Sequence, residues 1–235
     1  MKKIVTILSI LALIVSSCGQ ATNKQTQSEQ EKQQSEESIN GTDTLSEVLK
    51  INDVSQLPKG ITYEGEFKEG FQYSDKSGKH IAIITEKRVI HEDKYENEVE
   101  SAELFAYNFA VNEDNSTKQQ WRVYDFDKDC QLDVAADFIN DTFQITDLNN
   151  NGIAEIWFAY ILGCTGDISP LSMKVIMYEG KQKFAMRGTQ KIILQGEIYG
   201  GGYQFDSAFN NGLKIFRNFA QKLWNEHGII DYDKE

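Results

Sequence analysis

Asp147, Asn149 and Asn151, followed at once by Gly152, put oxygen-bearing side chains at alternate positions ahead of a glycine. A hard cation needs that spacing, because alternate side chains can converge on one point while glycine permits the sharp turn. The pattern matches the opening of a calcium loop. Long calcium loops close with a bidentate glutamate at position twelve, but here that position is Phe158 and the later carboxylate is Glu155 at position nine. Asp147, Asn149, Asn151 and Glu155 are therefore the candidate metal ligands. With two carboxylates and two amides they would hold Ca2+ weakly, in the ~10⁻⁴–10⁻³ M class of extracellular modules. The same residues also have a use without metal, since Asp and Asn side chains bond their own backbone in tight turns.

A second stretch, Asp125-Phe126-Asp127-Lys128-Asp129-Cys130, copies the carboxylate spacing. Cys130 replaces the glycine and Lys128 adds a competing charge, so an acidic turn is expected there. Cys130 and Cys164 leave two readings open. In an exported domain an even pair points to a disulfide. A nucleophilic cysteine would instead need a histidine close by, and His80, His91 and His227 all lie far from both in sequence. The chain contains no nucleophile elbow, His-Glu-x-x-His helix or Walker loop. A carboxylate pair for glycoside hydrolysis has ample acidic residues to draw on, none of them singled out. Catalytic residues are accordingly unassigned, and binding is favoured over catalysis.

The elements that must position these residues begin after an export signal. Lys2 and Lys3 precede an apolar run from Ile4 to Val15, then Ser16, Ser17 and Cys18. A basic start, a short apolar core and small residues before a cysteine make a lipoprotein signal peptide, 1–17, with Cys18 as the lipidated residue. The run falls short of the ~20 apolar residues of a finished span. One acyl chain binds membranes only marginally, so a multiply acylated Cys18 is expected. Gly19 in place of Asp favours the outer membrane, which sets the expected localisation as the cell envelope. Residues 18–57 read as a polar tether, with a short helix expected around Leu45, Val48, Leu49 and Ile51. Residues 58–235 read as one domain, with Pro58 at its edge. Net charge is −12, and loss of Lys2 and Lys3 takes the mature chain to −14. Such a charge argues against nucleic acid and anionic membrane surfaces, and disfavours an acidic glycan unless a divalent cation bridges the two.

Within the domain the periodicities are mainly those of strands: Gly60–Phe67, His80–Glu86, Leu104–Val111, Gln120–Asp125, Val134–Ile139, Glu155–Ile161, Lys174–Tyr178, Lys183–Met186 and Gln190–Leu194. Glu179-Gly180-Lys181-Gln182 reads as a hairpin turn. Phe209, Leu213, Phe216, Ala220 and Leu223 recur at helical spacing over Ser207–His227, capped by Asp206 or Ser207 and ended by Gly228 in a left-handed conformation. The expected fold is mainly β, within the α+β class. It is an antiparallel meander of sandwich or propeller-like form, with one C-terminal amphipathic helix packed on it.

The Asp147 loop runs into a strand and not a helix, which resembles the short calcium loops of FG-GAP and related extracellular β-repeats. A wider likeness covers Trp121 to Gly188. Phe143-Gln144-Ile145-Thr146, Ile153-Ala154-Glu155-Ile156-Trp157, Gly166-Asp167-Ile168-Ser169-Pro170 and Met173 through Gly180 to Ala185-Met186-Arg187-Gly188 are similar to a small envelope family of Gram-negative bacteria, labelled surface polysaccharide biosynthesis protein. The resemblance implies a role in making or displaying surface polysaccharide, with that glycan or envelope assembly proteins as partners. It carries over no catalytic residues, and Cys130 and Cys164 fall at the family's cysteine positions. Two alternatives stand beside it: a periplasmic glycan-acting enzyme using acidic residues, and a calcium-stabilised structural module of the envelope.

Overall fold

Three aspartates decide where the first sheet folds back on itself. Asp93 Oδ1 accepts the Tyr95 and Asn97 amides at 2.8 and 2.9 Å, Asp114 Oδ1 accepts Ser116 N at 2.9 Å, and Asp75 Oδ1 accepts Ser77 N at 2.7 Å. Each short acidic side chain satisfies backbone donors that no ladder reaches, so each strand ends there. In the computed structural model, which describes residues 45–234, these turns join β2 (Glu66–Asp75), β3 (Gly78–Glu92), β4 (Glu98–Val111) and β5 (Thr117–Cys130). β1 (Ser46–Ile51) precedes them, and the five form one antiparallel sheet in chain order. The helix expected near Leu45–Ile51 is thus a strand; a 3-10 turn at Val54–Gln56 is the only helical piece there. The reason is tertiary: Ile51 is buried against the sheet, whose open edge offers β1 backbone partners. The folded unit consequently extends upstream of Pro58.

The second sheet orders β13 (Tyr203–Phe205), β10 (Gln182–Thr189), β9 (Ser172–Glu179), β8 (Glu155–Thr165) and β6 (Asp133–Phe138), with β7 (Gln144–Thr146) also on β8. β9 and β10 meet at the expected hairpin, Glu179 pairing Gln182. A small third sheet joins β11 (Lys191–Leu194) antiparallel to β12 (Glu197–Gly200) and parallel to β14 (Ile229–Asp231).

Period-two alternation explains the layering. Ala102, Leu104 and Ala106 of β4 and Trp121 and Val123 of β5 share a core with Ile156, Phe158 and Tyr160 of β8 and Ile176 and Tyr178 of β9. The two sheets therefore form a sandwich, not a closed barrel. The alternate residues of β8–β10, including Trp157, Met173, Val175, Met177, Phe184 and Met186, face the helices. Being covered on both faces, β8 and β9 are apolar almost throughout. The outer face of the first sheet carries Ile81, Ile83, Phe105, Tyr107 and Phe109, partly roofed by Leu57, Ile61 and Tyr63. The strand expected over Gly60–Phe67 begins only at Glu66. Before it, the Glu64 amide donates to Tyr107 Oη at 3.0 Å and the Glu64 carbonyl accepts from Thr85 Oγ1 at 2.5 Å, so side chains take the place of a ladder.

The helical region is broken into α1 (Ser207–Asn211) and α2 (Lys214–His227). Asp206 caps α1 by accepting Phe209 N at 2.9 Å. Arg217 Nη1 donates to the carbonyls of Phe209 and Gly212 at 2.6 and 2.8 Å, satisfying acceptors that the break leaves over. Gly228 ends α2 at φ −95°, not in the left-handed region. Its lack of a side chain matters for space, since a Cβ would stand 2.7 Å from both Met173 Sδ and the Trp224 carbonyl.

Candidate functional site

The loop between β7 and β8 is built as its composition suggests. Asp147 Oδ1 and Oδ2 accept Asn151 N and Gly152 N at 3.0 Å each, Asn149 Oδ1 accepts Asn151 N at 3.0 Å, and Asn151 Oδ1 accepts Ile153 N at 2.7 Å. Gly152 supplies φ +81°. Two neighbours pin the loop from outside. Asp75 Oδ2 accepts Ala154 N at 3.0 Å, and Lys76 N donates to the Gly152 carbonyl at 2.8 Å.

Glu155 has a different environment from its supposed co-ligands. It is fully buried. Its carboxylate accepts Thr146 Oγ1 at 2.6 Å and Leu148 N at 2.8 Å, and Thr146 Oγ1 in turn accepts Trp157 Nε1 at 2.9 Å. Burial pushes the Glu155 carboxyl above its ordinary value, against these hydrogen bonds and with help from Asp147. Glu179 pairs with Glu155 across β8 and β9, and its Oε1 accepts the side-chain amides of Asn149 and Asn151 at 2.7 and 2.8 Å. So Asp147, Asn149 and Asn151 come together with Glu179, a residue that sequence spacing did not offer, while Glu155 turns into the core. Among the described residues no three His, Cys, Asp or Glu side chains meet as a metal-holding group.

The stretch expected as an acidic turn at Asp125–Asp129 is instead the second half of β5, with a register shift opposite Glu100–Ala102 and Asp129 at φ +57°. The strand wins because Trp121 and Val123 fill the sandwich on alternate positions. Cys130 at its end is bonded to Cys164 of β8, with Cα atoms 5.7 Å apart. Both thiols are thereby consumed, which removes the nucleophile reading. Cys18 lies outside the described residues, as do the signal peptide and most of the tether.

His80 is a buried residue that spacing alone hid. Its Nε2 lies 2.8 Å from Ser77 Oγ, which donates to Asp75 Oδ1 at 2.6 Å. Both partners gather on one ring nitrogen, and Nδ1 is unpaired. A catalytic triad places the acid and the hydroxyl on opposite nitrogens, so this cluster is a turn latch. His80, Ala154 N and Ser77 hold the Asp75 carboxyl down to about 2 despite the burial that opposes them.

The exposed face of β5 carries a more extended arrangement. Arg122, Tyr124, Phe126 and Lys128 alternate along one side of the strand, opposite Tyr107, Phe105 and Glu103 of β4. Tyr124 stacks on buried Phe105 at 5.0 Å and leans on Phe126 at 5.1 Å. Arg122 caps one end, 5.2 Å from the Tyr124 ring, and Lys128 the other, 4.6 Å from the Phe126 ring. Glu103 ties the stripe together by accepting Tyr124 Oη at 2.9 Å and pairing Lys128 at 3.0 Å and Lys87 at 3.2 Å. Tyr124 and Phe126 remain 39% and 46% exposed, so the rings are ordered but accessible. The signal for this stripe was the period-two string Trp-Arg-Val-Tyr-Asp-Phe-Asp-Lys. Reading it as a metal-loop copy concealed it.

Compared with protein-family models, with curated proteins and with solved structures, the chain shows no match.

Proposed function

We propose that this chain is an envelope lipoprotein, held to the outer membrane through Cys18, that supports surface polysaccharide assembly or display by binding glycan. The observation that carries the binding half of this reading is the Arg122–Tyr124–Phe126–Lys128 stripe. Seven residues of strand extend about 20 Å, which suits an extended polymer better than a small molecule. Two adjacent rings lie between a cation at each end, with the Glu103 carboxylate beside them on β4, so that apolar ring faces and hydroxyls of sugars can both be met. Stacking and ion pairs fix these side chains beforehand, which lowers the entropy cost of binding. The address rests on the signal peptide and Cys18, and the polysaccharide link on the resemblance over Trp121–Gly188. No helix among the described residues is long and apolar enough to cross a membrane.

A clean deletion should alter the surface glycan profile, and complementation with Tyr124→Ala/Phe126→Ala should fail to restore it. An unchanged profile in the deletion would overturn the reading. Cys18→Ala should move the chain out of the membrane fraction.

The Asp147 loop supports a second reading, a Ca2+-stabilised module, because Glu179 brings a further carboxylate to the Asn149 and Asn151 side chains of that loop. Ion binding to the folded state must raise the melting temperature. Millimolar Ca2+ should do so against a chelator control, and no difference between the two removes the cation.

A further inference from the structure

The inner face of β9 and β10 holds a concentration of positive charge that the acidic composition does not announce. On these strands Lys174, Ile176 and Tyr178 face the same way as Arg187, Ala185 and Lys183, which are their register partners. Lys174 and Arg187 are therefore directly opposite, an arrangement of like charges that destabilises a sheet. Glu179, the only carboxylate on the two strands, points to the other face with Met177.

β5, the last strand of the first sheet, reaches this face through Asp125. Asp125 of β5 pairs with Lys174 and accepts Tyr160 Oη at 2.9 Å. Asp206 is engaged at its own oxygens, by Phe209 N and Ala185 N at 2.9 Å each. The side chains of Lys183 and Arg187 make no hydrogen bond or ion pair among the described residues. Arg187 is exposed, and Lys174 and Lys183 are half-buried. Burial pushes the Lys183 ammonium below its ordinary value, Arg187 and Lys174 add to that, and the Asp125 and Asp206 carboxylates oppose it. Beneath these cations the packing is aromatic and closed: Tyr160 lies under Lys174 at 5.7 Å, and Tyr178, opposite Lys183, stacks on Trp121 at 4.0 Å, both rings being buried.

We infer that the face of β10 that carries Arg187 and Lys183 is an anion site that takes an acidic substituent of a glycan, with those two unpaired cations as the binding groups. A guanidinium fork matches carboxylate and phosphate oxygens alike. The inference rests on the glycan-binding reading and names the class of glycan. It also answers the objection from net charge, because recognition responds to the local field and not to the sum over the chain.

The test titrates the full-length protein in detergent with tetragalacturonate, its neutral methyl ester and glucose 6-phosphate. Tetragalacturonate or the sugar phosphate should bind, more weakly as salt rises, and the stronger of the two identifies the anion. Arg187→Gln and Lys183→Gln should each lower that affinity about tenfold without lowering the melting temperature, since each removes a charge from a cluster of like charges. Equal binding of the acid and its methyl ester, or acid binding untouched by both variants, overturns the anion site. If the ester binds equally and only Tyr124→Ala/Phe126→Ala abolishes it, the anion site fails while the stripe stands. Acid binding that needs Arg187 but not the stripe does the reverse.

Discussion

Glu155 is the residue whose meaning changes most between sequence and structure. Sequence spacing makes it a ligand, but in the fold it is a buried carboxylate that holds Thr146 and the Leu148 amide. Glu155→Ala should strand those donors and destabilise the domain by about 2–4 kcal/mol, read as the shift of the urea midpoint at constant slope. Asp75 gives a pH signature. Its carboxyl sits at about 2 in the fold against 3.8 as the ordinary value. A depressed folded pKa means the contribution is complete above the unfolded value and is lost as pH falls through the folded one. Stability should therefore drop by up to about 2 kcal/mol between roughly pH 4 and pH 2, and Asp75→Asn should flatten that part of the denaturation profile. Glu155 runs the other way, since its raised folded pKa makes its contribution greatest at low pH and smaller as pH rises.

At the scale of elements, the Cys130–Cys164 bridge joins the last strand of one sheet to the longest strand of the other. Closing that loop stabilises the fold by roughly 3–4 kcal/mol in the chain-entropy model. Cys130→Ser/Cys164→Ser should accordingly lower the melting temperature by about 10 °C, and reductant should do the same to the native protein. The helix-covered face should respond differently. Phe216 of α2 is buried against Trp157 and Phe184, so Phe216→Ala should cost about 3–5 kcal/mol in reversible chemical unfolding. By contrast Phe126→Ala on the exposed stripe should cost less than about 1 kcal/mol, which is what separates a binding residue from a packing one.

Most strands were legible because β-branched and aromatic runs end at Asp, Asn, Ser and Gly turns whose side chains satisfy the backbone locally. The hairpin at Gly180-Lys181 and the Asp206 cap belong to the same class of short-range chemistry. The failures share a cause. β1 carries few signals of its own and forms because a sheet edge receives it. The second half of β5 reads as an acidic turn until Trp121 and Val123 are seen to require a strand. The break between α1 and α2 depends on Arg217 reaching back to carbonyls several residues away, which helical periodicity does not register.

For the whole molecule, one consequence of layering is that net charge predicts little about recognition. The chain is strongly acidic, yet the sandwich exposes a cation-capped aromatic stripe on one face of β5 and gathers one exposed and two half-buried cations on the inner face of β9 and β10. The sequence by itself determined the β class and most turn positions, and it offered the self-bonding of the Asp147 loop and the pairing of Cys130 with Cys164 among its readings. All of these follow from residue type and separations of a few positions, or from the parity of two cysteines. Tertiary structure alone decided that Glu155 is interior, that Glu179 joins the loop, that Ser77, His80 and Asp75 latch a turn, and that Lys174, Lys183 and Arg187 share one face of β9 and β10. Those outcomes depend on strand register, which is set by packing between segments far apart in the chain.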